Sequence, residues 1–368
     1  MMSRMRSRLR RFVPLLVLLA AACAEVQVQK PIVKPVFPPP PEPPRYYWEH
    51  VLVSTVQVLR GDSKSRLRTM VTGETEIGIG FAKPFDVSVC QGRVYVADSV
   101  ARFVFGLDFP GGRFFQVGVE EPGELAKPLG IATDGQCNVY VVDATRQRIN
   151  IYDRDGKYLR SLGGTEMFSR LSHVAVDPAG TTIFAVDTGE VLKTEGHRVR
   201  VIDARSGTHL RDIGARGDRD GQLNLPRDVE LGPDGLVYVV DGANFRVQVF
   251  TQDGTFVRKF GEIGRRIGQF SRPKGIAIDA QGRIYVTDTS HGNFQVFTPE
   301  GQLLLFVGTR GDKNDPAKYL LPAGIDVDED GRVYMVDQFF AKVDVYRPAE
   351  LPTDQGHLGI WSRSLVQK

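Results

Sequence analysis

Six aspartates recur down this chain at spacings of 45, 44, 54, 47 and 49 residues: Asp98, Asp143, Asp187, Asp241, Asp288 and Asp337. A cation follows four of them: Arg148 after Asp143, Arg246 after Asp241, Lys342 after Asp337 and, beyond an insertion, Arg198 after Asp187. A carboxylate set beside a cation is a candidate for catalysis. Repetition argues against that use here. A reaction needs one such centre, whereas a clamp at a strand end is needed in every copy of a repeated unit, so the pairs read as scaffold.

The segments that carry these aspartates are short strands. Leu225–Gly261 (LPRDVELGPDGLVYVVDGANFRVQVFTQDGTFVRKFG) holds four runs in which apolar and polar residues alternate, rich in Val, Phe and Tyr. Pro-Asp-Gly at 233–235, Asp-Gly-Ala-Asn at 241–244 and Gln-Asp-Gly at 252–254 separate them. Glycine accepts positive φ and Asp or Asn bonds its own backbone, so these are hairpin turns. One four-stranded sheet cannot bury its faces alone. Copies begin at 83, 127, 170, 225, 272 and 321. Six four-stranded units at this spacing predict an all-β, six-bladed β-propeller. The sixth unit lacks a fourth strand, and an orphan strand, Tyr46–Leu59, precedes the first. The orphan is expected to complete the last blade and close the ring, removing two open sheet edges.

The pattern P-x-G-I-A-x-D, V-Y-V-x-D-x-x-N-x-R-I-x-V-F and G-x-F-x-x-x-F-G resembles the NHL repeat over about residues 83–348, most closely at Leu225–Gly261. The resemblance implies a six-bladed propeller. The third unit departs from it, with Ser172-His173 in place of Pro-x-Gly and six extra residues within Gly189–Gly196.

In such a ring the first strands of the blades begin at a central mouth. The position after each Pro, or its equivalent, holds Phe85, Leu129, Ser172, Arg227, Lys274 and Ala323; the next holds Asp86, Gly130, His173, Asp228, Gly275 and Gly324. Arg227 and Lys274 come from adjacent blades, with Arg265, Arg266 and Arg272 between them. Phe85, His173, Arg227, Asp228, Arg265, Arg266 and Lys274 are therefore the candidate binding residues, for an anionic ligand or an acidic partner surface. A solvated basic patch balanced by Asp228 and Asp86 is the competing reading. Two enzyme classes with related propellers offer a further alternative. Peptide-amidating lyases hold zinc with a His directly after that Pro, where this chain has none; His173 lies one residue on and His291 at a turn. Lactonase-type propellers hold calcium with inward Glu, Asn and Asp; Glu230 fits, without a matching set. No catalytic residue, metal ligand or cofactor is assigned, and a non-catalytic scaffold is favoured over a metal-dependent lyase or lactonase.

The ends suggest where such a scaffold works. Residues 1–22 read as an export signal, with Arg4, Arg6, Arg8, Arg10 and Arg11 ahead of the apolar run 12–22. Leu19-Ala20-Ala21-Ala22-Cys23 resembles a bacterial lipobox, which implies lipidation at Cys23 and a membrane anchor. Ala24 in the next position favours the outer membrane by the same resemblance. Residues 23–45 form a Pro-rich linker with no strand pattern, extended enough to act as a spacer. The propeller spans 46–348, and the tail 349–368 either lies along the ring or is loose. The whole chain carries a formal charge of +3, and removing the five arginines of 1–22 leaves −2, which disfavours a nucleic-acid partner. An envelope protein, peptide or glycan is expected instead. An exported chain can form disulfides, but Cys90 and Cys137 lie in neighbouring blades, which splay apart, so a bridge between them is not favoured.

Overall fold

A computed structural model of the chain describes residues 34–59, 78–189 and 196–359. The signal segment, Cys23, linker residues 24–33, most of the third-blade insertion (190–195) and residues 360–368 lie outside the described residues. Blade one is built from Pro84–Cys90, Arg93–Asp98, Phe103–Asp108 and Arg113–Val117, each antiparallel to the next. Blades two to five repeat this meander from Pro128, Leu171, Pro226 and Pro273. Six apolar clusters fill the spaces between neighbouring blades, and the cluster joining Val87 and Val96 to Tyr334 and Val345 packs blade six on blade one. Six blades with six buried interfaces make a closed ring, and each second strand is buried along its length, apart from the first residues Arg93 and Thr182 in blades one and three, because it has a blade on either side.

Blade six is assembled from both ends of the chain. Its inner strands Pro322–Val327, Val333–Asp337 and Lys342–Pro348 are followed by Tyr46–Leu52, with Tyr46 opposite Pro348 and Leu52 opposite Val343. The expected closing strand is thus present but ends at Leu52. Ser54 and Gln57 then cap a short 3-10 turn over Thr55–Gln57, where the Gln57 side chain accepts the N–H groups of Val53 and Ser54 and stops the ladder. The seam is fixed by a buried ion pair: Glu49 lies 2.9 Å from the fully buried Arg332 and 3.5 Å from Arg347.

Two expectations are corrected. The Pro-rich segment is not free of strand, because Val36–Phe37 pairs with Tyr46–Tyr47 as a fifth strand on blade six. The two residues lie just ahead of the proline run, and Phe37 packs edge-on against Tyr346 at 5.9 Å, which gives the segment a reason to dock. The second correction concerns the cysteines. Cys90 and Cys137 form a disulfide, with Cα atoms 5.7 Å apart. Blades diverge toward the rim, but both cysteines sit at the hairpin after the first strand, close to the axis where neighbouring blades converge. Of the tail, residues up to Leu358 lie along the ring: Ala349 N–H donates to Arg45 O, Arg332 donates to Gln355 O, and Leu358 is buried against blades one and six.

Candidate functional site

The recurring strand-end aspartates are all fully buried. Their oxygens accept backbone N–H groups from the segment leading into the first strand and, except at Asp241, from the turn after the second; Asp241 takes the Asn224 N–H and, from the turn, the Asn244 side-chain amide. Asp98 takes Ala82 and Lys83 on one side and Val100 and Ala101 on the other; Asp288 takes Ser271 and Arg272, then Ser290 and His291. Each aspartate staples two loops at the mouth, where six loops would otherwise leave donors unmade. The cation clamp is less general than its spacing suggests. Arg246 bonds Asp241 at 2.8 Å and Arg198 lies 3.4 Å from Asp187. Arg148 stands opposite Asp143 in the ladder but donates to Glu124 O, and Lys342 turns instead to Asp344 at 3.0 Å.

Inside the ring, a bulge between Pro226 and Val229 separates Arg227 from Asp228. Arg227 stays exposed at the mouth, while Asp228 is buried in the channel. Asp228 therefore does not neutralise the basic patch by pairing with it. Its two oxygens accept the N–H of Val229 at 2.8 Å and, across the blade boundary, of Ile276 at 3.0 Å. Asp86 makes the same clip to Val87 and Ile131, and Asp326 to Val327 and Val89. Glycines let neighbouring blades approach closely at that level: a Cβ on Gly130 of blade two would lie 2.5 Å from His173 Cα of blade three, and one on Gly324 of blade six would lie 1.8 Å from Asp86 Oδ1 of blade one. Glu230 joins these three acids around a channel cavity of about 160 Å³. Among the described residues, no three His, Cys, Asp or Glu side chains converge as a metal-binding group.

Burial, reinforced by neighbouring negative charge, raises all four acids. Asp228 and Glu230 are pushed up to about 8, Asp326 to about 7, and Asp86 well above the carboxylate range, with Asp228 its main charged neighbour. The folded protein thus holds protons that the unfolded chain gives up near pH 4, so the stability they secure is complete below that pH and is lost as pH rises toward 8. Glu230 accepts only the Leu231 N–H at 3.0 Å, a bond that glutamine can also accept. Glu230→Gln is expected to match the parent in urea unfolding at pH 5 and to exceed it by about 1–2 kcal/mol at pH 8.5, the effect moderated because the side chain borders the channel cavity. An equal difference at both pH values would show that its titration plays no part. His173 acts in the opposite sense: burial, then the charges of Lys274 and Arg227, hold it down to about 3, so its contribution is lost as pH falls below the ordinary histidine value of about 6.5.

Above this acid layer lies a second cavity of about 360 Å³, and it gathers four of the seven candidate residues: Phe85, His173, Arg227 and Lys274. The Phe85 and His173 rings are 5.3 Å apart, and Lys274 Nζ sits 4.8 Å above the Phe85 ring while donating to Gln338 Oε1 at 3.2 Å. Gly242 makes room for Arg227, because a Cβ there would lie 2.6 Å from Arg227 Cγ. Arg265 and Arg266 do not line the cavity; both are exposed to solvent on a turn in which the Arg266 N–H is held by Gln269 Oε1. Lys83, Lys127, Arg170 and Arg272, each directly before the first residue of an inner strand, complete the basic mouth. That position could have been read from the repeat, since four of six units place a cation there. Among the described residues, no carboxylate lies within ion-pair distance of Lys83, Lys127, Arg170, Arg227, Arg272 or Lys274. Burial lowers Lys274 to about 8, with the negative charge of Asp86 opposing it and the charges of Arg227, Arg272 and Lys83 adding to it; burial, then Arg272 and Arg170, lowers Arg227.

Blade count, meander topology and the closed ring define an all-β, six-bladed β-propeller carrying NHL repeats. Residues 223–250 and 270–297, in blades four and five, match the NHL repeat family. Among curated proteins, the chain is similar to Protein brain tumor of Drosophila melanogaster, 28% identical over 144 residues, which are 38% of this chain and 13% of that protein. The match therefore spans a small part of its relative. Among solved structures, a streptogramin B lyase aligns with a TM-score of 0.53 at 14% identity, over 74% of this chain and 95% of that one. A gluconolactonase from Xanthomonas campestris gives 0.53 at 16%, over 73% and 86%. A Bacteroides thetaiotaomicron protein of unknown function gives 0.59 at 15%, over 81% and 75%. At these identities the structural likeness shows the fold alone.

Proposed function

We propose that this propeller is a non-catalytic binding scaffold of the bacterial cell envelope, held to a membrane through Cys23 and presenting its mouth face to an acidic protein or peptide. The observation that carries the reading is the group of six mouth cations with no carboxylate within ion-pair distance among the described residues, Asp86 acting on Lys274 only from farther off. Unpaired like charges around a concave opening repel one another, and an anionic surface brought against them is attracted from a distance and strengthened by partial desolvation. The same face carries exposed apolar side chains on its loops, Val100, Ile263, Leu321 and Phe339, suited to the apolar part of a protein partner. The opposite face is built from turns rich in aspartate, such as 153–155, 234 and 328–330, and offers no such attraction. The lipobox-like segment supports the anchor, and the Pro-rich residues after it support a short tether.

A photocrosslinking amino acid at position 339, on the mouth face, or at position 300, on the opposite face, tests the reading in cells that make the protein. Protein adducts are expected from position 339 alone. They should disappear when Arg170 and Arg227 are both replaced by glutamate, and Cys23→Ser should move the protein from the membrane to the soluble fraction. Adducts from both positions alike, or adducts indifferent to the charge reversal, would overturn the scaffold reading, as would zinc or calcium retained stoichiometrically through dialysis. A glycan captured in place of protein would reject the acidic-protein partner. A Cys23→Ser variant that stays in the membrane would reject the anchor.

A further inference from the structure

Resting on the mouth-face reading, we infer that the 360 Å³ cavity at the centre of the mouth binds a free carboxylate attached to an apolar group, as found at the C-terminus of a peptide ending in a hydrophobic residue. Its volume falls at the small end of the range for ligand pockets, about 300–1,000 Å³, so it admits the end of a chain and not a folded surface. The walls have two characters. Phe85, Leu129 and Leu171 bring apolar surface to the lining, and Arg227 and Lys274 bring positive charge, with Lys274 Nζ resting 4.8 Å above the Phe85 ring.

The second observation is an unmet demand for hydrogen bonds. His173 is only 4% exposed, lines the cavity, and its Nδ1 has no partner; Ser172 Oγ, beside it, also has none. A buried polar atom without a partner is costly, and native structures rarely tolerate two side by side unless something else fills the place. Ser172 can donate O–H, and a neutral imidazole can donate N–H from Nδ1 in one tautomer. Two such donors with a guanidinium alongside match the two oxygens of a carboxylate, since arginine binds that group bidentately. Burial and the two nearby cations keep His173 neutral, so the deep end offers donors and not a third full charge, which suits a monoanion better than a phosphate dianion. The departure of blade three from the repeat, Ser172-His173 where other blades have Pro-x-Gly or Pro-x-Asp, places this donor pair once in the ring. A specific site needs to occur only once.

The test uses the folded protein lacking residues 1–22 and a fluorescent peptide ending in Ala-Ala-Phe, as free acid and as C-terminal amide, read by anisotropy. The acid is expected to bind at least ten-fold more tightly than the amide. Arg227→Ala and Ser172→Ala should each weaken the acid five-fold or more without moving the melting temperature, while Lys313→Ala, an exposed cation outside the cavity, should leave it unchanged. Phenylacetate separates the sources: competition at concentrations comparable with the peptide assigns the site to small free acids, and failure to compete assigns it to peptide termini. Equal binding of acid and amide, no binding of either, indifference to Arg227→Ala and Ser172→Ala, or displacement by inorganic phosphate at lower concentration than phenylacetate would overturn the inference. Crosslinks at position 339 that persist alongside any of these would retain the scaffold and reject only its carboxylate pocket.

Discussion

Glu49→Ala is expected to lower the free energy of unfolding by about 3 kcal/mol, measured by urea denaturation at neutral pH. Arg332 is fully buried, and its Nε donates to Glu49 at 2.9 Å. Removing the carboxylate leaves a guanidinium in the interior with Asp330 at 3.4 Å and the Gln355 carbonyl at 3.1 Å, which are too few acceptors for its donors. Loss of one member of a buried pair typically costs about 3–5 kcal/mol, and the residual contact with Asp330 places the expectation at the lower end. The damage is also topological, because Glu49 lies on the N-terminal strand and Arg332 in the sixth blade, 283 residues later. The alanine variant should therefore become sensitive to proteolysis near residues 46–52. The paired replacement Glu49→Leu with Arg332→Met removes both charges and should recover most of the loss. If the double variant is no better than Glu49→Ala, the seam is held by packing and the ion pair is incidental.

Reduction of the Cys90–Cys137 bridge is expected to cost about as much. The bridge closes a loop with a sequence separation of 47. A cross-link over that length restricts the unfolded chain by an amount equivalent to about 4 kcal/mol, and native bridges commonly deliver about 2–4. Both sulfurs are buried, so Cys90→Ala with Cys137→Ala avoids leaving hydroxyls in the interface between blades one and two. Reductant should lower the stability of the parent to that of the double variant and leave the variant unchanged. A parent indifferent to reductant, with free thiols shown by alkylation, would remove the bridge from the account.

Much of the architecture was legible because strand chemistry is local. Alternating Val, Tyr and Phe with Asp-Gly turns wrote out each meander, the repeat spacing gave the blade count, and the unfinished sixth unit with an orphan strand before the first predicted the closure now seen between Tyr46–Leu52 and Lys342–Pro348. What failed was geometry between blades. Nothing local to Cys90 or Cys137 says that neighbouring blades converge at the axis, so the bridge was not favoured. The mouth was partly legible: the positions after each proline brought Phe85, Arg227 and Lys274 together with His173, but neighbours in sequence parted in space. Arg265 and Arg266 share the loop before Lys274 and still lie outside the cavity, and one bulge sends Asp228 into the channel while leaving Arg227 outside. The acids Glu230 and Asp326 form no repeat, since the same register holds Ser88, Ala132, Ala175 and Ala277 in the other blades, so no periodicity marked them as neighbours.

Sharing one blade between the two ends of the chain also dictates an order of assembly. Ribosomes make the N-terminus first, so Tyr46–Leu52 emerges long before Lys342–Pro348 exists to receive it. Blades one to five can form their meanders as they appear, because each uses only adjacent segments. The last cannot, and contacts of such long sequence separation form slowly. Until they form, the growing arc has an unpaired strand at each end, the exposed edges on which misassembly begins. Commitment to the finished ring is therefore a single late event, in which the first strand of the domain to be made becomes the last to find its place.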